Sequence, residues 1–592
     1  MSPQARTFRK PLFILFAIGS LALVFSLPYY FPQAPSTSES WIFGYNNRAG
    51  ILILLVSIFI GVVWTQGMSL QIPAPAVSEK LSVKLLFASL LAYLPGSIAM
   101  YLFAGRYGGF SEAGYFLDRI WLVQQGKIPY IDFEYCFGPS FLYGPILIER
   151  IFHVSLIAAY HTFWILNGMV GVLLLYAIVN RINFRTSSRR SIYLILLVPA
   201  FFSIFNMGVN YAGPRFEFPL YFVLVMRSIF QSCVLRKRAT AALFAVLCTG
   251  FTFLFSQETP IALTFTAVVL YLLYTPKWNR GLIAIFGCMI LSFIGLFWKV
   301  SQFGVLDTIR TDGGGTNSFP IVLSPAVLFY CAVLFFAACY TYRRIAERTF
   351  QDDCLALIIY SIPMIAAALG RCDPAHLLNN GQGLILASMF YWSNHRVAWT
   401  RYRTVFILCF ILLPTLTGLL FVRSLLGHIG QMNAARGVGD ASNKLNLSET
   451  YPRWTGSFFV PFGFRPNGVG TYFSTRIDYG RFDGLLNMNT VSGISETVRH
   501  MNSHPEMALL LPSRFEESCR INQLGEKLVV SLLFDTAYFQ RVAHPNSIRQ
   551  PICDYILTNY EVARPADEQD FNYGLWVRKP MQKSLESKTS HP

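Results

Sequence analysis

Ile157–Asn180 reads IAAYHTFWILNGMVGVLLLYAIVN, twenty-four residues without an Asp, Glu, Lys or Arg, and Arg181, Arg185, Arg189 and Arg190 follow directly. A helix needs about 20 apolar residues to cross a hydrocarbon core of about 30 Å, so this stretch is long enough to span a bilayer. Arginines gathered at one end mark that end as the cytoplasmic one. Working outward, similar apolar stretches recur through residues 1–423. The thirteen expected spans are approximately 11–31, 49–66, 85–104, 157–180, 191–207, 218–235, 239–256, 260–274, 281–300, 325–342, 354–370, 381–394 and 404–422. Composition agrees, since 54% of the 592 residues are hydrophobic and only 13% charged, against roughly a quarter in a soluble domain.

The formal charge of +17 raises nucleic acid as a partner, and its placement removes that reading. Residues 1–423 hold 31 cations and 15 acids, while residues 424–592 hold 17 and 16. With the N-terminus inside, the cytoplasmic segments collect 20 cations and 4 acids; the opposite loops hold 10 and 11. The charge is therefore a topology signal, and the tail falls on the outer side. The first span has no small-residue cleavage site near its end and reads as an anchor. Arg227 falls inside a span, where it needs a carbonyl or an acid as partner. Of eleven cysteines, only Cys519 and Cys553 lie in the tail, where export permits a disulfide.

Two units follow: a membrane region, 1–423, and an extracytoplasmic domain, 424–592. The tail pattern predicts a helix at Ile494–Asn502 and strands at Met507–Leu511, Asp554–Leu557 and Tyr573–Val577, a small α/β domain. Trp454, Phe458, Phe459, Phe462, Phe464, Tyr472 and Phe473 either stack on sugar rings or pack the domain onto the bilayer interface.

The first large external loop, 105–156, carries Glu112, Asp118, Asp132 and Glu134. Such carboxylates can deprotonate a hydroxyl or hold a hard divalent cation, and a solvated loop would carry them too. Phe116, Ile120, Leu122 and Val123 predict a short amphipathic helix stopped by Gly126 and Pro129, with a second helix over Phe141–Ile151.

The order within this loop is Glu112, Tyr115, then Gly126, Pro129, Tyr130, Asp132 and Phe133, then Gly138-Pro139. It resembles the first periplasmic loop of the GT-C class of membrane glycosyltransferases, which use polyprenyl-phosphate sugars and include protein mannosyltransferases and aminoarabinose transferases. A second segment, Gly370-Arg371-Cys372-Asp373-Pro374-Ala375-His376, is similar to a Gly-Arg-x-Asp-x-x-His segment in a later loop of bacterial members. Here the first loop follows the third span rather than the first, and Ser111-Glu112 stands where members commonly carry Asp-Glu or a lone Asp.

The resemblance implies a GT-C-like helical membrane protein that moves a sugar from a polyprenyl-phosphate donor to a hydroxyl of a glycan, lipid or protein, with inversion. The setting it implies is a bacterial inner membrane. Glu112 is then the first choice for general base and Asp132 the second. Tyr115, Tyr130, Arg215, Arg371, Asp373 and His376 are the substrate-binding candidates, with Arg371 and Arg215 placed to meet the phosphate charge that grows as the sugar leaves. A divalent cation, Mg²⁺ or Mn²⁺, fits the acids without being required. Gln257, Glu258 and Glu217 either line the cavity or face headgroup water. The rivals are an oligosaccharide ligase or polymerase with a diphosphate-linked donor, relying on late Arg and His residues, and a lipid or glycan transporter.

Overall fold

A computed structural model describes residues 3–31, 45–65, 82–107, 113–181 and 208–394, the last apart from 233, 276–277, 314–319, 322, 324, 351 and 373. In the tail it describes 456–459, 461, 477–478, 491–512, 515–516, 519, 550–565 and 573–580. The molecule is mostly helical. The first helices are α1 (Pro3–Ser26), α2 (Asn47–Thr65) and α3 (Val83–Tyr107). Two helices of the loop region follow, α4 (Ala113–Gln124) and α5 (Ser140–Phe152), and then α6 (Leu156–Arg181).

The bundle continues with α7 (Gly213–Phe230), α8 (Leu235–Thr252), α9 (Glu258–Leu273) and α10 (Arg280–Ser301). After these come α11 (Val305–Gly313), α12 (Pro325–Ala346), α13 (Asp353–Arg371), the short α14 (Pro374–Asn380) and α15 (Gln382–Asn394). Helices lie on eleven of the thirteen expected stretches, and 191–207 and 404–422 fall outside the described residues. Among the described residues, six helices are long and apolar enough to cross a membrane.

Small residues set the contact between α6 and α7. A Cβ added to Gly213 would lie 2.4 Å from the Gly171 Cα, so α6 and α7 cross backbone to backbone. Such crossings stand in for the missing hydrophobic drive between helices in lipid. Arg181, Arg227, Arg238 and Arg344 then gather at one end of the bundle. There Arg227 Nη1 lies 3.3 Å from Asp353 Oδ1, and Arg344 Nε lies 2.8 Å from Asp352 Oδ2. Arg238, 1% exposed, donates to the carbonyls of Ser232 and Tyr274. Asp352 also caps α13, accepting from Leu355 N at 2.6 Å. Arg227 thus stands in the last turn of its helix, nearer the end than the expected span placed it. The offset lies at the helix's end, which comes at Phe230 rather than at 235, while Gly213-Pro214 starts it earlier than hydropathy alone suggests, Pro being favoured in a first turn.

The tail forms a five-stranded sheet of order β2-β1-β3-β5-β4. Its strands are β1 (Phe458–Phe459), β2 (Ile477–Asp478), β3 (Ala508–Pro512), β4 (Tyr560–Arg564) and β5 (Tyr573–Arg578). β1 pairs parallel with β2 and β3, while β5 runs antiparallel to β3 and β4. Helices α16 (Val491–Ser503) and α17 (Gln550–Asn559) pack with it around Leu509, Leu511, Ile552, Ile556 and Trp576. The strand expected at Asp554–Leu557 is instead part of α17. Ile552 and Ile556 are both buried at a spacing of four, a helical period that the short window hid. A disulfide joins Cys519 to Cys553 on that helix.

Candidate functional site

The expected loop helices exist, and their packing explains the loop motif. On α4, Phe116, Leu117 and Ile120 are buried. The helix ends before Gly126, whose φ of +84° is the left-handed turn that glycine permits. Arg119, also buried, lies 3.5 Å over the Tyr115 ring and donates to the Glu134 carbonyl at 3.4 Å. Tyr115 in turn brings its hydroxyl 3.5 Å from Cys136 Sγ.

Tyr130 adopts a left-handed backbone (φ 69°), held by its N–H to Phe133 O at 2.8 Å and by its hydroxyl donating to Phe137 O. Burial raises the Tyr130 phenol well above its usual range, so it acts as a neutral donor. Asp132 is exposed and accepts from Ile128 N at 2.7 Å, which orients its carboxylate within the turn.

Gly138-Pro139 docks this loop on the bundle. A Cβ at Gly138 would meet the Leu254 and Phe255 backbone at 2.2–2.3 Å, and Ser140 N donates to Leu254 O at 2.9 Å. Gln257 Nε2 adds a contact to Tyr135 O at 3.4 Å. The loop is thereby laid across the α8–α9 turn, directly beside Arg215.

Arg215 is the centre of the buried polar group. Its Nε lies 3.0 Å from Glu258 Oε1, its Nη2 bonds the same oxygen, and its Nη1 donates to Asn210 O at 3.2 Å. The guanidinium sits 4.9 Å from both the Phe137 and Phe216 rings, so the loop supplies one wall. Two residues along α7, Glu217 Oε1 accepts from Gln382 Nε2 at 2.8 Å. Buried Tyr360 lies in the electrostatic reach of Glu258, Arg215 and Glu217, joining the two pairs into one cluster. His376, half-buried on α14, reaches the Tyr211 ring at 6.2 Å, and Tyr211 neighbours Arg215.

The structure therefore brings together Tyr130, Arg215 and His376 with Gln257, Glu258 and Glu217 at the end of the bundle opposite Arg227 and Arg344. Tyr115 stays within the loop's own core, where it packs on Arg119. Arg371 closes α13, with its side chain outside the description, and Glu112 and Asp373 lie outside the described residues. Asp118 is half-buried on α4, and Arg310 is exposed on α11.

Asn210, Tyr211, Tyr360 and Gln382 were missed in the sequence. Gln382 had one signal, a polar residue opening an apolar stretch after Gly381; Tyr360 had none, being one aromatic among many in its helix. Among the described residues no three His, Cys, Asp or Glu side chains converge as a ligand set, so the divalent cation has no geometric assignment.

An apolar cavity of about 480 Å³, lined by Thr264, Phe293, Phe297, Trp298 and Leu306 among others, opens beside α9 and α10. Thr264 is six residues along α9 from Glu258, about 9 Å of helix rise. No family model, curated protein or solved structure matches the chain.

Proposed function

We propose that this chain is an integral membrane glycosyltransferase of GT-C type, moving a sugar from a polyprenyl phosphate to a hydroxyl acceptor at the extracytoplasmic face, with inversion. The observation that carries the reading is the docking of the Tyr130–Pro139 loop onto the helix ends that hold Arg215 and Glu258, with His376 alongside. Arg227 and Arg344 stand at the opposite end, and by the charge rule this supports an outer position for the site. The tail's disulfide fits the same sidedness, since disulfides persist in oxidising compartments. The apolar cavity fits a lipid chain approaching from the bilayer.

In this reading the acceptor hydroxyl gives its proton to Glu112 or Asp132 while its oxygen attacks the anomeric carbon. The bond from that carbon to the phosphate oxygen breaks, and the phosphate leaves with the electron pair. Arg215 is already paired with Glu258, so its remaining N–H groups and Arg371 share the task of stabilising that charge. The test is sugar transfer from polyprenyl-phosphate donors by the whole chain and by Glu112→Ala and Asp132→Ala. Full activity in both variants sinks the base assignment. Loss confined to Arg371→Ala and His376→Ala favours the diphosphate-donor ligase, and net translocation with no glycosidic bond formed favours a transporter.

A further inference from the structure

Three carboxamides border the Arg215, Glu217 and Glu258 cluster, and none is anchored through its side-chain oxygen. Asn210 contributes its backbone carbonyl to Arg215. Gln257 and Gln382 use their amide nitrogens, toward Tyr135 O and Glu217. The three residues are only 3–4% exposed. Among the described residues, Asn210 Oδ1, Gln257 Oε1 and Gln382 Oε1 are buried without a hydrogen-bond partner, although the Tyr130 phenol lies beside the Gln257 amide. Buried acceptors are paired in folded proteins because leaving them unpaired is costly.

The cluster as a whole has a surplus of acceptors. Two carboxylates face one guanidinium, and that guanidinium already spends Nε, Nη1 and Nη2 on Glu258 and Asn210. A phosphate group brings mainly further acceptors and does not meet this surplus. A point cation meets it at one place, whereas these oxygens start from three separate elements: the turn before α7, the cap of α9 and the first turn of α15. Hydroxyls on successive carbons of a sugar ring supply several separated donors.

We infer that Asn210, Gln257 and Gln382 form a hydroxyl-recognising shell that receives the sugar ring of the ligand, an assignment that rests on the glycosyl-transfer reading above. Asn210 is the sharpest probe, because among the described residues its side chain has no hydrogen bond to lose. The probes are polyprenyl-phosphate mannose, its monodeoxy forms, and polyprenyl phosphate alone, added to the purified full chain in detergent.

Two readouts are taken: thermal stabilisation by each probe, and transfer to acceptor. Polyprenyl-phosphate mannose should stabilise the wild type beyond polyprenyl phosphate alone. One monodeoxy form should bind about tenfold more weakly, the worth of one buried hydrogen bond. Asn210→Leu should fold as well as wild type, bind the full sugar about tenfold more weakly, and lose nothing further with that deoxy form. Gln257→Met, paired with a different deoxy form, repeats the cycle should Asn210→Leu misfold.

If mannose adds no stabilisation over phosphate alone, or if losses from deoxy sugar and variant simply add, the shell assignment is overturned. Hydroxyl-dependent stabilisation without transfer keeps the shell and discards the transferase. Transfer with additive losses does the reverse.

Discussion

The backbone-to-backbone crossing of α6 and α7 makes an asymmetric pair of predictions. A Cβ at Gly213 would sit 2.4 Å from both Cα and N of Gly171, whereas a Cβ at Gly171 would sit 3.4 Å from the Gly213 Cα, an ordinary contact. Gly213→Ala must therefore push α7 from α6 by about 1 Å, and overpacking of this kind costs about 1–3 kcal/mol. Gly171→Ala should be neutral to slightly stabilising, because Ala is the better helix former by up to about 1 kcal/mol. The displaced helix carries Arg215 and Glu217, two and four residues on. Misplacement by about 1 Å can cost about a hundredfold in rate. Thermal unfolding of both variants in detergent, together with sugar transfer, checks this. Equal effects from the two substitutions, or an unperturbed Gly213→Ala, would refute the packing argument.

Three further outcomes follow from the same structure. Arg215→Met should destabilise by about 2–3 kcal/mol, because it leaves the half-buried Glu258 carboxylate without its partner, while Arg215→Met with Glu258→Gln should recover most of that stability; thermal unfolding distinguishes them. Cys519→Ser opens a loop of 34 residues and should cost the tail about 4 kcal/mol on chain-entropy grounds, read by denaturant unfolding, with reductant acting on wild type alone. Burial pushes the Tyr560 phenol up to about 12. The folded tail thus favours the protonated form, so that contribution is full below about pH 10 and is lost as pH rises toward 12. Tyr560→Phe removes a buried hydroxyl without a partner among the described residues. It should hold neutral stability and gain on the order of 1 kcal/mol over wild type at pH 11, seen by near-ultraviolet circular dichroism.

The sequence by itself determined where the long apolar helices form, because a span needs only local length and apolarity. It also determined the two loop helices at Ala113–Gln124 and Ser140–Phe152, the first of which stops at the local signals Gly126 and Pro129. The motif residues Tyr130 and Gly138-Pro139 were legible as a pattern, but their work was not. Gly138 is small because the Leu254 backbone, more than a hundred residues on, runs against it. Likewise Arg215 read as a cation for phosphate, and tertiary structure paired it with Glu258, forty-three residues away. Glu217 meets Gln382 across 165 residues, a distance no spacing rule reaches. Even the misread tail helix over Asp554–Leu557 follows this division, since its identity rests on which side chains the sheet buries. Local periodicity decides which segments form; the close approach of remote backbones decides which polar groups end up together, and the chemistry depends on that second step.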